Sequence, residues 1–252
     1  MKKHTASGGR AYLNRGTLTG ERLKALHVKL LHKKIISEIT KPSERDKQRL
    51  IGPSGIGGCP RCVGEELASV LPDQYPDLID NDSFGLGAWI GTAVHYWLDE
   101  HLDIPGAIKE QKNPIFELEG YGLIKGSTDL FVQGHVIDYK ILGRANFDKL
   151  RLLYKAEPNK IPTQTYRVQQ MLYAYGWEQL GYKVETVNIL AIPKLSNDPD
   201  DIRWYTEIYN QEVALKAIDR LEKIWSYVKD GKLEELPSDS DCFNCTRVLF
   251  RA

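Results

Sequence analysis

All four cysteines of this 252-residue chain fall in two short pairs, Cys59-x-x-Cys62 and Cys242-x-x-Cys245. The start, MKKHTASGGRAYLNRG, has two lysines but no apolar run behind them, so no secretory signal is expected and structural disulfides are poor candidates. Two Cys-x-x-Cys pairs suit four thiolates on one metal centre. Zn²⁺ and a 4Fe–4S cluster both accept four cysteines, and the spacing does not choose between them. Either centre demands that the segments near residues 60 and 244 meet, which closes the sequence between them into one body.

That sequence alternates in type. Thr19 to about Leu50 is helix-prone, with Leu23, Leu26, Leu30, Leu31 and Ile35 on one stripe, interrupted at Lys41-Pro42-Ser43, where Ser43 can cap a second short helix. IGPSGIGGCPRC (51–62) reads as loop. Helices are expected over 65–70 and 83–102, with a loop over 71–82 between them. Strands are expected near 108–118, 122–132, 135–142, 184–193 and 203–210, and helices over 163–181 and 211–231, the last two ending at Gly181 and Gly231. This order predicts an α/β fold with a mixed central sheet flanked by helices. Residues 1–50 form a basic helical region, and residues 51–252 form the main domain, its two ends joined by the cysteine centre.

Hydrophobic residues make up 42% and charged residues 27%, as in an ordinary globular protein, and no run is apolar enough to span a bilayer. The expectation is a cytoplasmic protein without a membrane partner. Net charge is zero, but residues 1–50 hold 13 Lys/Arg against 4 Asp/Glu. A basic arm fits a nucleic-acid partner and equally fits a solvated helix face.

The stretch GSTDLFVQGHVIDYK (126–140) carries the chemistry. A two-residue turn at Gln133-Gly134 makes it a β-hairpin in which Val132 opposes His135, Leu130 opposes Ile137 and Asp129 opposes Asp138. Two opposed acids repel, and a hard cation such as Mg²⁺ between them reverses the sign. Lys140 shares the face of Asp138, while Ile137 and Ile141 point the other way, into the core.

Asp129 followed by Asp138-Tyr139-Lys140 resembles the PD-(D/E)XK nuclease core, with Thr128 standing where that family has proline. The resemblance implies a restriction-endonuclease-like core, a metal-dependent DNA nuclease, and Mg²⁺ or Mn²⁺ held by Asp129 and Asp138 while Lys140 assists the attacking water. His95, in GTAVHYWLDEHL, matches the histidine with which RecB-type members complete the metal shell, and Gly91, four residues earlier, puts an expected close backbone approach on the same helix face. The Ile141 backbone completes the expected site, and Glu110, on the strand before the hairpin, is a candidate further acid. Gln169 and Tyr173, in QTYRVQQMLYAYGW, match the motif that positions DNA. Tyr166 shares their face, Gln170 is the alternative to Gln169, and Val168, Leu172 and Tyr175 face the core. PSGIGGCPR before such a core and cysteines after it look like the iron–sulfur exonucleases of the CRISPR-adaptation type and their phage relatives. There, one N-terminal and three C-terminal cysteines hold a 4Fe–4S cluster; this chain has two and two.

The resemblance covers residues 51–250. It implies exonucleolytic cutting of DNA, with single strands and 5′ ends as substrate, and recombination, repair or CRISPR-adaptation proteins as partners. The rival expectations are a non-catalytic DNA-binding module of the same fold and a zinc-stapled interaction protein.

Overall fold

A computed structural model of the chain describes residues 20–39, 50–76, 86–240 and 242–245. The chain divides into two units, 1–47 and 48–252. In the first, the helix α1 (Gly20–Ile39) is described, and its Val28, Leu30, Leu31, Ile35 and Ile36 are exposed. The short helix expected after Ser43 and residues 77–85 lie outside the described residues.

The second unit begins with two helices in the stretch expected as loop, α2 (Pro53–Ile56) and α3 (Pro60–Ala68). Both open on proline, whose missing N–H costs nothing at a first helical position. Proline therefore starts these helices, and α3 begins five residues before the expected 65. Next come α4 (Leu86–His101), β1 (Ile108–Leu118), β2 (Gly122–Val132) and β3 (His135–Leu142). An unexpected helix, α5 (Arg144–Ala156), precedes α6 (Gln164–Gln179). Strands β4 (Thr186–Pro193) and β5 (Arg203–Ile208) and helix α7 (Gln211–Lys229) complete the unit. Side-chain caps fix two of the helix starts: Thr163 Oγ1 accepts from the Tyr166 N–H (3.4 Å), and Asn210 Oδ1 from that of Glu212 (3.0 Å).

The five strands lie in sequence order, antiparallel except for the parallel pair β3–β4. That one parallel step requires a long crossover, which α5 and α6 supply. The result is the expected α/β class, a mixed sheet flanked by helices. The larger core lies on the α6 face, where Ile124, Phe131, Val136, Met171, Leu172, Trp177, Val187 and Leu221 are buried together. A smaller cluster of Leu130, Ile137 and Tyr139 packs with Ile141 and with Leu98 and Leu102 near the end of α4. Ile137 and Ile141 thus point away from the α6 core and into the smaller one.

Candidate metal and nuclease site

The hairpin turns where expected. Gln133 (φ +50°) and Gly134 (φ +84°) both take left-handed backbone, the conformation of the two central residues of a type I′ turn. Pairing then runs Val132–His135, Phe131–Val136 and Leu130–Ile137, where the ladder ends. Were it to continue, Tyr139 would face Thr128. Instead, the Asp129 carboxylate takes the place of a ladder acceptor, and its Oδ2 receives the Tyr139 N–H at 2.6 Å. The expected direct opposition of Asp129 and Asp138 therefore gives way to a local parting of the strands.

The cause lies on β2 and its other neighbour. Thr128 accepts a hydrogen bond from Trp177 Nε1 on α6 (3.1 Å), and Phe131 stacks on the same indole, with centroids 4.2 Å apart. Residues three apart on a regular strand face opposite ways, so β2 turns over between them. Leu130 consequently faces the α4 side, and its partner Lys109 reaches the Asp99 carbonyl on α4. The reversal in β1 falls at Glu110, whose φ is +46°. Recorded pairs flank the kink on both sides, Lys109 with Leu130 and Gln111 with Thr128. A non-glycine residue in left-handed backbone costs about 1–3 kcal/mol and persists where the surroundings enforce it, often at functional sites.

Here the kink aims two acids at one histidine. His95 Nδ1 lies 3.3 Å from Asp129 Oδ1 and 4.0 Å from Glu110 Oε1. One ligand atom from each of the three lies within 4.8 Å of the others. His95 Nε2 sits 3.0 Å from the Tyr139 carbonyl, so Nε2–H donates there and Nδ1 carries the lone pair. Nδ1 is buried yet makes no hydrogen bond of acceptable geometry. A buried imidazole nitrogen left without a hydrogen bond between two carboxylates fits a divalent cation. Burial disfavours the charged imidazolium, but the carboxylates of Asp129, then Asp138 and Glu110, outweigh it and raise the His95 pKa.

On the other side, facing α6, Asp138 anchors a second group. Its Oδ2 is 2.7 Å from Lys140 Nζ, and its Oδ1 accepts from Gln169 Nε2 at 3.2 Å. Gln169 Oε1 accepts from Lys140 Nζ (3.0 Å), and its Nε2 also approaches the Tyr173 hydroxyl (2.9 Å). Lys140 Nζ sits 5.0 Å from the centre of the Tyr166 ring. Full burial, and after it the charge of Asp129, push Asp138 up to about 6, although Lys140 pulls the other way. Gln169, and not Gln170, is the glutamine of this group; Gln170 is fully buried away from it.

Two expectations shift. A Cβ on Gly91 would meet nothing within 4 Å, so this glycine marks no close approach; beside the Lys140–Gln169 group the tight glycine is Gly126, whose Cβ would lie 2.6 Å from the Tyr173 ring. The backbone carbonyl brought to His95 is that of Tyr139, while Ile141 packs its side chain against the smaller core. Gly126→Ala should push the Tyr173 ring away from Gln169. We expect a loss of about 1–3 kcal/mol in urea unfolding, with cleavage reduced as well. A midpoint equal to wild type would show that the ring yields freely.

The cysteines meet as their spacing requires. Sγ–Sγ distances are 3.7 Å for Cys59–Cys245 and 3.5 Å for both Cys62–Cys242 and Cys62–Cys245, and all four are free of disulfides. Arg220 fixes the loop that delivers Cys59, donating to the carbonyls of Ile56 (2.6 Å) and Gly58 (2.5 Å).

No protein-family model matches the chain, and no curated protein matches it. Among solved structures it is similar to an alkaline exonuclease, LHK-Exo, from Laribacter hongkongensis: 9% identity over 81% of this chain and 95% of that one, TM-score 0.48. It is also similar to SSO0001, at 17% identity over 79% of this chain and 86% of that one, TM-score 0.44. LHK-Exo in complex with dAMP overlaps it at 13% identity over 69% and 80% of the two chains, TM-score 0.40. Likenesses this distant leave the assignment of chemistry to the chain's own residues.

Proposed function

We propose that the chain is a metal-dependent deoxyribonuclease that hydrolyses phosphodiester bonds at the junction of the two groups just described. The observation that carries this reading is His95 Nδ1, buried without a hydrogen bond and aimed between Asp129 and Glu110. His95, Glu110 and Asp129 hold Mg²⁺ or Mn²⁺, with Asp138 adjoining them. When bound, such an ion polarises the phosphoryl oxygen and lowers the pKa of the attacking water.

The protein's own part is positioning and charge. Lys140, clamped between Asp138 and Gln169, presents a fixed positive charge to the phosphate or to the water nucleophile. The Asp138 carboxyl can take a proton near neutral pH, because burial keeps its pKa high. Tyr166 lies over Lys140 and offers its ring to the strand, while the buried Tyr173 hydroxyl holds Gln169 in place. Preference for single strands and 5′ ends, exonucleolytic action, a cytoplasmic location, and roles in recombination, repair or CRISPR adaptation rest on the family resemblance. No described helix is long and apolar enough to cross a membrane.

End-labelled single- and double-stranded DNA, incubated with Mn²⁺, Mg²⁺ or EDTA, tests the reading. Degradation is expected with either ion and none with EDTA, and the label released first reports polarity. Glu110→Gln should weaken ion binding, shifting half-maximal activity to higher Mn²⁺. Cleavage that persists in EDTA would end the proposal.

A further inference from the structure

The family resemblance implies a 4Fe–4S cluster at the cysteines, and the geometry disagrees with it. A single tetrahedral ion bound at ~2.3 Å from each thiolate separates the sulfurs by ~3.8 Å. A cubane places four irons and four sulfides inside its thiolates, which then stand roughly 6 Å apart. The separations of 3.5, 3.5 and 3.7 Å, with all four sulfurs within 4.8 Å of one another, match the first case.

The scaffold around the sulfurs is set chiefly by backbone and side-chain contacts beside them. The Arg61 N–H, between the two N-terminal cysteines, donates to the Pro237 carbonyl (3.2 Å), and the Arg61 guanidinium donates to the Leu233 carbonyl (3.0 Å). One turn further along α3, a Cβ on Gly64 would collide with Leu233 and Leu236, so the C-terminal segment lies directly on this helix. Cys242 then follows a turn closed by its own N–H to the Asp239 carbonyl (3.0 Å), and the Asp239 N–H points at Cys59 Sγ (3.3 Å). Opening the group by the additional ~2 Å that a cubane needs would pull these contacts apart.

We propose that Cys59, Cys62, Cys242 and Cys245 bind one zinc ion as a structural staple between α3 and the C-terminal segment, in place of an iron–sulfur cluster. Zinc takes four thiolates tetrahedrally and has no redox chemistry; binding releases the thiol protons and changes no oxidation state. This assignment holds whether or not the chain cuts DNA, because it is read from metal content and not from cleavage.

The test is metal and acid-labile sulfide analysis, with a visible spectrum, of the full chain purified anaerobically from cells supplied with both iron and zinc. We expect about one zinc per chain and a colourless protein. About four irons with four sulfides, and broad visible absorption, would overturn the proposal, as would one iron or no metal. Cys242→Ser should lose the zinc. Because that variant can misfold, a second measurement uses the unaltered chain. Co²⁺ exchanged into it should give thiolate-to-cobalt absorption that one equivalent of Zn²⁺ removes, and failure to show these bands counts against the site.

Discussion

Asp129→Asn is expected to slow DNA cleavage by about a thousandfold or more while the protein stays folded. The asparagine keeps what the fold needs. Its carbonyl oxygen can still accept the Tyr139 N–H that Asp129 Oδ2 now takes at 2.6 Å, and its amide can donate to His95 Nδ1. What it removes is the charge, one of the two carboxylates that surround that nitrogen. A thousandfold loss corresponds to about 4 kcal/mol of transition-state stabilisation, within the range expected of a metal site. Rates on end-labelled DNA at saturating Mn²⁺, beside circular dichroism of both proteins, measure it. A folded variant that cuts within about tenfold of wild type would place the cation elsewhere.

The residues of this site were easier to read from the sequence than its construction. The turn was legible because Gly134 follows a polar residue between two alternating runs, and the meeting of the cysteine pairs followed from their chemistry alone. The kink at Glu110 left no such mark. Left-handed backbone is usually signalled by glycine or asparagine, and here a glutamate adopts it under the pull of two strands and α4. The reversal of β2 between Thr128 and Phe131 was hidden likewise, because both residues suit either face until Trp177 claims them. Helix α5 was missed for another reason. Its apolar residues Phe147, Leu150 and Tyr154 are spaced for a helix, but it buries only Phe147 and Leu150 and starts at Gly143 without a side-chain cap, so its start signal is weak. Gly91 misled because a glycine four residues before a histidine suggests a close approach, whereas the close approach is at Gly126, on a strand.

The kink and the buried acids share a consequence: the site is held against its own preference, and Asp138 makes that measurable. Burial, with Asp129 nearby, keeps its folded pKa at about 6, above the unfolded value, so between pH 4 and 6 the native state binds more protons than the unfolded chain. Stability must then fall through this group as pH rises across that window. Above it, a carboxylate in this position is less well tolerated than a neutral amide. Asp138→Asn should therefore raise the melting temperature of the metal-free protein at pH 7 and abolish cleavage at the same time. The gain should shrink as pH is lowered from 6 to 4, where wild type also becomes neutral at this position. His95 contributes in the same sense, over a higher window. Asp129, acting against burial, raises its folded pKa, so its stabilisation is present below about 6.5 and is lost as pH climbs through the raised value. The larger part of that contribution comes from Asp129 and belongs to both proteins, so below pH 6 the difference between their melting curves in EDTA reports chiefly Asp138. Adding Mn²⁺ should reverse the order, since the ion binds the folded wild type and repays its crowded negative charge. If the metal-free variant melts below wild type at every pH, the ion pair with Lys140 outweighs the burial of Asp138, and the site stores no such tension.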